Sequence, residues 1–269
     1  MLGLVTAKFR GAIIIVDQTE LFSAGSNKWL HRLEERILSK YVDQLFVISQ
    51  TLASFYRDKF NKQATVLPPV VDLERFQLNS SLSYTVGYLG SFGAKDGVGL
   101  IIEAFNKASS QSSLDLRLLL IGSPQNSREY QRRIDKSDWS EQISLVLYPR
   151  ISQINELLPT CDSLIMNRTG SNYASYGYPT KLGEYFACKR PVIMSNGPGF
   201  SKEFTDKVEA IKYKVDDIQA LSNAIVWRYE NLLESDKIAQ LGYDYARNHF
   251  SAKKVSTIFY ETITREIPE

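Results

Sequence analysis

The chain has 269 residues, of which 43% are hydrophobic and 23% charged, a composition typical of a globular protein with a substantial core. Its 32 basic residues are spread among 30 acidic ones and leave a net charge of +2, so no concentrated basic face indicates a nucleic-acid partner. The two histidines, His31 and His249, have no cysteine or acidic partner at metal-ligand spacing, and we expect no metal site.

The cysteine content and the N-terminal sequence indicate the cellular compartment of the protein. Only Cys161 and Cys188 are present, in a chain long enough to fold without disulfides, which favours a reducing compartment and predicts a cytoplasmic protein. The longest apolar run near the start, residues 12–16, is far shorter than the roughly 18–20 residues that span a bilayer. We therefore expect neither a signal peptide nor a membrane anchor, while peripheral contact with a membrane surface stays open.

The first part of the chain contains few predicted strands. Its pattern predicts strands at 12–16, 44–48 and 65–67 and helices at 27–41 and 51–60. So few strands do not make a doubly wound sheet with both faces covered. Residues 1–76 are therefore expected to be the end of a domain whose beginning is absent, and the polar run 77–83 the linker to the next domain.

From residue 84 onward, short apolar runs alternate with longer amphipathic segments, the pattern of stacked βα units around a parallel sheet. The sequence predicts an α/β fold, with a doubly wound Rossmann-like domain over 84–250. A tail of two or three helices is expected to start near Asp216 and Asp217, which are suitable capping residues. Predicted strands lie at 84–89, 116–121, 143–147, 163–166, 191–194 and 209–213.

Ligands in open parallel sheets bind beyond the carboxyl ends of the strands, and the turn after strand 84–89 is rich in glycine. Gly90 and Gly93 let the backbone approach a ligand, with Ser91 between them. Lys95 adds a positive charge ahead of the next helix. These features suit a diphosphate, and the alternative is a glycine-rich turn with a solvated lysine.

A long polar and aromatic loop follows strand 163–166 and leads into Pro179 and a helix start. The amides of Thr180 and Lys181 are expected to be available there for phosphate oxygens. Glu184 lies one turn further, where its carboxylate would bind a sugar hydroxyl. The alternative is a plain surface pair between Lys181 and Glu184 at three-residue spacing.

Two other turns are weaker candidates. Backbone groups of Arg150 and Ile151, after strand 143–147, would contact a nucleobase edge. The sequence of this turn by itself, however, favours an ordinary turn between a strand and a helix. Residues 196–200, with Glu203 beyond them, would close over a sugar or form only a turn.

Taken in order, these segments resemble the retaining glycosyltransferases of the GT-B fold, specifically glycosyltransferase family 4, which builds bacterial polysaccharides and glycolipids. The resemblance covers most of the chain. It rests on the runs Phe46-Val47-Ile48-Ser49, Leu67-Pro68-Pro69-Val70-Val71-Asp72-Leu73-Glu74-Arg75-Phe76, the turn 90–97, Leu119-Leu120-Ile121-Gly122, and Pro179-Thr180-Lys181-Leu182-Gly183-Glu184-Tyr185-Phe186-Ala187.

The resemblance implies roles for several of these positions. Lys95 would stabilise the departing nucleoside diphosphate in place of a metal ion, and Glu184 would bind the donor ribose, which makes these two the candidate catalytic residues. The donor would be a UDP- or GDP-sugar, bound without a metal or a further cofactor. The other candidate donor-binding residues are Gly90, Ser91, Gly93, Gly122, Arg150, Ile151, Tyr176, Thr180 and Lys181.

Some positions depart from the family pattern. Tyr176 stands where the family has the first glutamate of its E-x7-E motif, so the usual carboxylate beside the transferred sugar is missing. Ser91 replaces the arginine that usually follows the first glycine of the turn, so the lysine of that turn lacks this second positive charge beside it. Where many relatives have a histidine, this chain has Asp17-Gln18, with Glu20 close by.

Length is a further departure, because family members begin with a complete Rossmann-like lobe of their own. The resemblance implies that residues 1–76 are a partial acceptor-side lobe and that the helix within 251–269 packs back toward it. We expect transfer of a sugar to a saccharide or lipid-linked acceptor, with retention of configuration. Two alternatives stay open: a donor-binding subunit that needs a separate acceptor lobe, and a GT-B-fold nucleotide-sugar epimerase.

Overall fold

The computed structural model describes residues 2–21, 28–78, 84–171, 176–197 and 199–266. In these residues the chain forms two parallel sheets, one of three strands and one of six. The first sheet contains β1 Ile15–Gln18, β2 Gln44–Val47 and β3 Thr65–Val66. The second contains β4 Thr85–Gly90, β5 Arg117–Gly122, β6 Ile143–Leu147, β7 Ser163–Met166, β8 Val192–Asn196 and β9 Ile211–Lys214.

Helices connect most of the strands, as parallel pairing requires long crossovers. Two short 3-10 turns, Ala94–Asp96 and Phe200–Glu203, follow β4 and β8. In chain order the α-helices are α1 Leu2–Phe9, α2 Lys28–Tyr41, α3 Gln50–Phe60, α4 Val98–Gln111, α5 Ser127–Asp135, α6 Ile151–Leu157, α7 Lys181–Ala187, α8 Ile218–Glu230, α9 Leu232–His249 and α10 Ala252–Glu266.

The six-stranded sheet runs in the order β6-β5-β4-β7-β8-β9, so the winding direction reverses between β4 and β7. Leu164 and Met166 of β7 pack into one hydrophobic cluster and Ile165, between them, into the other. Apolar side chains are therefore buried on both faces, and the predicted doubly wound parallel sheet is confirmed. The reversal between β4 and β7 opens a crevice beyond the carboxyl ends of these two strands.

The first sheet has a smaller core of its own and pairs in the order β1-β2-β3, which leaves β1 at one edge. Leu45 and Val47 of β2 pack against Leu52 and Tyr56 of α3, and all four side chains are completely buried. This part of the chain therefore packs as a unit that is distinct from the six-stranded sheet.

The start of the chain differs from the sequence prediction. The strand predicted at 12–16 begins only at Ile15, because the preceding turn is held by the Ile14 amide, which donates to the Asp43 carboxylate at 2.7 Å. Helix α1, which precedes this strand, was not among the predicted helices. The Lys8 side chain also binds Asp43, which ties α1 to the first sheet.

The tail of the chain forms three helices, α8, α9 and α10, in line with the two or three predicted. Asp217 caps α8 with its carboxylate, whereas Asp216, the other expected cap, accepts the Gly170 amide instead. The last helix returns to the first sheet, where the Phe259 ring lies 5.1 Å from the Phe46 ring.

The remaining predicted strands agree with the observed bounds to within two residues at each end. Residue 27, the predicted start of α2, and residues 79–83 of the predicted linker lie outside the described part of the chain.

Candidate functional site

A cavity of about 270 Å³ lies beyond the carboxyl ends of β4 and β7, where the six-stranded sheet reverses its winding. Residues far apart in the sequence meet here because β4 and β7 are paired neighbours. Leu89, Asp96 and Arg168, for which the sequence predicted no role, also line the cavity. The predicted site residues that it brings together are Gly90, Ser91, Lys95, Thr180, Lys181 and Glu184.

Two predicted glycines support this cavity without lining it. Gly93 begins the 3-10 turn, and its carbonyl accepts the Asp96 amide at 2.8 Å. Gly122 pairs with Gly90 between β5 and β4, and a Cβ at position 122 would lie only 1.8 Å from the Gly90 carbonyl oxygen. The two strands therefore approach closely only because residue 122 has no side chain.

Three other predicted residues lie apart from the cavity. Arg150 and Ile151 form the start of α6, where the Arg150 amide donates to the Gln153 side chain at 3.0 Å. Tyr176 packs its ring 5.7 Å from the Phe55 ring of α3, so it faces the first lobe. Residues 172–175, in the loop ahead of Tyr176, lie outside the described residues.

Asp96 organises the glycine-rich turn from a fully buried position. Its carboxylate accepts hydrogen bonds from the Ser91 hydroxyl and from Lys181 Nζ, both at 3.2 Å. Burial by itself would raise the pKa of Asp96, but the Lys181 ammonium and the Arg168 guanidinium outweigh burial and hold it below its ordinary value. Asp96 is therefore a carboxylate that fixes the positions of Ser91 and Lys181.

Lys181 extends inward from the start of α7. Its Nζ reaches Asp96 and lies 4.4 Å from the centre of the Tyr88 ring. Burial lowers the pKa of Lys181 to about 8, although the Asp96 carboxylate works in the opposite direction. The surface pair between Lys181 and Glu184 that the sequence left open is wrong, because each side chain pairs with a different partner.

Glu184 forms an ion pair with Arg75, which comes from the segment between the two sheets. Arg75 Nε also donates to the Asn155 side chain of α6 at 2.7 Å. The charged groups of Arg75 and Glu184 are largely shielded from solvent, which strengthens their attraction. The carboxylate is thus held in one orientation at the wall of the cavity.

Lys95 points across the cleft toward the first lobe. Its Nζ lies 3.2 Å from the Glu20 carboxylate, in the turn that follows β1. Glu20 is close to the position where the family resemblance places a histidine. The salt bridge between Lys95 and Glu20 therefore joins the two lobes at the cavity.

The segment after β7 is tied to the glycine-rich turn by three hydrogen bonds. The Asn167 side-chain amide donates to the carbonyls of Asp96 at 2.9 Å and Gly97 at 3.3 Å, and the Thr169 amide donates to the Lys95 carbonyl at 3.0 Å. Gly97 has φ +56°, and a Cβ there would meet the Asn167 amide at 2.7 Å. These contacts fix the two loops relative to each other.

Asp96, Arg168 and Arg75 are the site residues that sequence reasoning missed. For Arg168 a signal existed, because a basic residue stands two positions after the predicted strand 163–166, where ligands of parallel sheets bind. Asp96 gave no such signal, since an aspartate in a glycine-rich turn is ordinary. Arg75 belongs to one of the family-like runs, but its partner Glu184 is 109 residues away and only the fold brings them together.

The other chemistry-bearing residues do not extend the site. Cys161 and Cys188 are buried free thiols, and burial raises the pKa of both. Among the residues that the structure describes, no three His, Cys, Asp or Glu side chains are grouped to hold a metal ion. Over the same residues, no helix has the length and apolar character needed to cross a bilayer.

Comparison with known proteins gives the family. The family model of the Glycosyl transferases group 1 matches residues 83–231, which is more than half of the chain. The chain belongs to the group 1 glycosyltransferases. The matched segment contains every residue that lines the cavity of this glycosyltransferase, whereas Glu20 and Arg75 precede it. No curated protein sequence matches the chain.

Solved structures show the fold of this glycosyltransferase. HepE of Anabaena, in complex with UDP and glucose, aligns with a TM-score of 0.81 at 13% identity, over 98% of this chain and 75% of HepE. The pneumococcal O-GlcNAc transferase GtfA, in complex with UDP and GlcNAc, gives 0.77 at 14% identity, over 99% of this chain and 54% of GtfA. Sucrose-phosphate synthase from Thermosynechococcus elongatus gives 0.75 at 15% identity, over 98% and 71%. The GT-B fold expected from the resemblance is thereby confirmed.

Proposed function

We propose that this chain transfers a sugar from a UDP- or GDP-sugar to a saccharide or lipid-linked acceptor in polysaccharide or glycoconjugate biosynthesis. Family membership supports the reaction class. The observation that carries the proposal is the cavity at the β4–β7 reversal, which Lys95, Lys181 and Arg168 line together. Several cations in one small space suit a ligand with several negative charges, such as a nucleoside diphosphate.

Lys95 would act on the leaving group. As the bond between sugar and diphosphate breaks, negative charge grows on the departing phosphate, and a nearby ammonium stabilises that charge. Lys95 Nζ contacts Glu20 in the structure, so donor binding would exchange a carboxylate partner for a phosphate partner. The sequence shows no evident protein nucleophile, and in the proposed retaining reaction the leaving phosphate would serve as the base.

Glu184 would bind a hydroxyl of the donor ribose. A carboxylate makes charge-assisted hydrogen bonds to hydroxyl groups, and the ion pair with Arg75 orients this one at the cavity wall. At about 270 Å³ the cavity suits the diphosphate alone, since pockets for whole drug-sized ligands occupy roughly 300–1,000 Å³. The base and the transferred sugar would extend from it along the open cleft.

The solved structures favour UDP as the first nucleotide to test. HepE is described in complex with UDP and with UDP-glucose, and GtfA in complex with UDP and GlcNAc. A UDP-hexose is therefore the donor that we place first for this chain. We also infer a cytoplasmic enzyme, because Cys161 and Cys188 are buried as free thiols, with contact at the inner membrane face if the acceptor is lipid-linked.

Calorimetric titration with UDP and GDP tests the proposal. The wild-type protein should bind one of the two, and Lys95→Ala and Glu184→Ala should each weaken binding about tenfold or more, because each removes a charge-assisted contact. Lys237→Ala, which removes an exposed lysine on α9, is the matched control and should leave the affinity unchanged. Since Lys95 would take the place of a metal ion, EDTA should not weaken binding. No binding by the wild type, or equal binding by all variants, would contradict the proposal.

A second candidate is a donor-binding subunit that needs an acceptor lobe from another chain. The first sheet favours it, because in the described residues β1 is an edge strand and Ile13 and Ile15 are exposed beside it. This candidate predicts UDP binding without turnover of a UDP-sugar by the chain alone. The leading proposal predicts release of UDP from the UDP-sugar, either to water or to an added acceptor.

A further inference from the structure

Arg168 occupies a fixed position two residues after the end of β7. Its backbone amide donates to the Ser195 hydroxyl at 2.9 Å, and the same hydroxyl donates to the Arg168 carbonyl at 3.0 Å. Its two neighbours, Asn167 and Thr169, bond to the backbone of the glycine-rich turn. The backbone of Arg168 is therefore held in register with Lys95.

The side chain of Arg168 is buried and incompletely paired. Only 9% of the residue is exposed, and it lines the cavity together with Lys95 and Glu184. Its Nε is buried and has no hydrogen-bond partner in the described part of the chain, and no carboxylate there forms an ion pair with it. Burying a guanidinium without a partner is costly, so its position at a cavity wall indicates an anionic ligand.

The nearest acidic group does not supply that partner. Arg168 is close enough to Asp96 to help lower the pKa of its carboxyl. The Asp96 carboxylate, however, already accepts hydrogen bonds from Lys181 and Ser91. Arg168 therefore adds positive charge to the cavity that the paired carboxylate only partly offsets.

The glycine-rich turn itself explains why a second cation is useful. Ser91 is neutral, and its hydroxyl is turned to Asp96. Lys95 is thus the cation that this turn brings to the cavity. The Arg168 guanidinium adds a planar donor that can form two parallel hydrogen bonds with phosphate oxygens.

We infer that Arg168 is a diphosphate-binding cation that acts beside Lys95, the basic residue of the glycine-rich turn. The inference rests on the proposed function, because it assigns the ligand to the same cavity. Arg168 holds the terminal phosphate of the nucleotide beside Lys95 and stabilises it as the sugar departs.

Titration with a nucleotide series tests the inference. UDP, UMP and uridine, or the guanosine series if the wild type prefers GDP, are titrated into the wild type, Arg168→Gln and Arg168→Lys. The glutamine variant should lose about 10- to 100-fold in diphosphate affinity and much less in monophosphate affinity, because only the diphosphate reaches Arg168. The lysine variant should recover part of the loss. Arg132→Gln, an exposed arginine on α5, is the charge-matched control and should bind like the wild type.

The results distinguish a failure of the inference from a failure of the proposed function. If the wild type binds neither UDP nor GDP, the proposed function fails. If the wild type binds and Arg168→Gln binds the diphosphate equally well, or loses mono- and diphosphate affinity to the same extent, only the inference fails. Thermal unfolding of each variant shows whether a loss of binding reflects a loss of fold.

If the variants at the buried Arg168 do not fold, a measurement on the wild type tests the inference instead. Phenylglyoxal labels arginine side chains, and peptide mass spectrometry reports the rate at Arg168 alone. UDP should slow labelling of Arg168 and leave labelling of the exposed Arg132 unchanged, whereas uridine should slow neither. Labelling of Arg168 that is indifferent to UDP would overturn the inference.

Discussion

Among single residues, three charged side chains that line the cavity pair with a protein group of opposite sign, and Arg168 is the exception within the described residues. Lys95 contacts Glu20, Lys181 contacts Asp96, and Glu184 contacts Arg75. Such pairing lowers the cost of placing charges in a partly buried site. It also means that an incoming diphosphate must compete with a carboxylate for at least Lys95.

Glu20→Gln tests this competition. Removing the negative charge that faces Lys95 should raise diphosphate affinity about three- to tenfold, because the pair is partly exposed and worth only about 1 kcal/mol. Calorimetric titration measures the change, with Glu261→Gln on α10 as an exposed control. An unchanged or weaker affinity in Glu20→Gln would show that Glu20 does not compete with the ligand for Lys95.

The pKa of Lys181 predicts a pH dependence. Since burial lowers this pKa to about 8, the cavity loses positive charge as the pH rises through that value. Diphosphate affinity should therefore fall between pH 7 and about 9.5. In Lys181→Arg, whose guanidinium stays charged, the fall should be smaller. Titrations at several pH values measure both, and a wild-type affinity that is flat across this range would contradict the assignment.

The lowered pKa of Lys181 should affect the free energy of unfolding in the opposite direction from diphosphate affinity. The folded pKa of Lys181 lies below its ordinary value of 10.5, so the unfolded chain binds more protons at this group between pH 8 and 10.5. The contribution of Lys181 to the free energy of unfolding should therefore rise with pH across this window. Urea unfolding of the wild type and of Lys181→Arg over that range compares the two slopes, and equal slopes would contradict the shift.

Local patterns in the sequence predicted Lys95 and Glu184 as candidate site residues, because each belongs to a short run with recognisable spacing. Their partners could not be predicted in this way. Arg75 reaches Glu184, and Glu20 reaches Lys95, only after the chain has folded the two sheets against each other. Asp96 is adjacent to Lys95 in sequence, yet its role depends on Lys181, which the fold brings from another loop.

At the scale of elements, the close approach of β4 and β5 shapes the floor of the site. Gly90 and Gly122 pair directly, and the absence of a side chain at position 122 keeps the Gly90 carbonyl in place. Strand positions were predictable from their apolar runs. The requirement for glycine at 122 was not, because it depends on how closely the neighbouring strand approaches.

Gly122→Ala tests the approach of the two strands. The added Cβ would overlap the Gly90 carbonyl oxygen, so the strands must separate, and we expect a loss of about 3 kcal/mol in the free energy of unfolding. Gly177→Ala is the matched control, since a Cβ there meets no atom within 4 Å. Urea unfolding measures both, and equal stability of the two variants would contradict the close packing of β4 on β5.

At the scale of the whole molecule, the chain closes on itself. Val71, in the segment between the sheets, donates its amide to the Phe250 carbonyl at 2.9 Å, and α10 then carries Phe259 onto Phe46 of the first sheet. Periodicity predicted a helix at this end, but only the family resemblance placed it against the first lobe. A helical pattern gives the apolar face and not the surface that covers it.

Phe259→Ala tests the closing contact. Losing the ring pair with Phe46 should lower the free energy of unfolding by about 1–2 kcal/mol. Diphosphate affinity should not change, because the ring does not line the cavity. Tyr260→Ala, which removes a more exposed ring from the same helix, should be nearly neutral. Equal destabilisation by the two substitutions in urea would contradict a specific role for Phe259.

A crystal structure of the chain with UDP or GDP would show whether the crevice between β4 and β7 binds the diphosphate of a nucleotide sugar. We expect diphosphate density in the cavity, with oxygens within hydrogen-bond distance of Lys95 Nζ and the Arg168 guanidinium and with a ribose hydroxyl on Glu184. Nucleotide density elsewhere on the chain, or a diphosphate that contacts neither Lys95 nor Arg168, would contradict it.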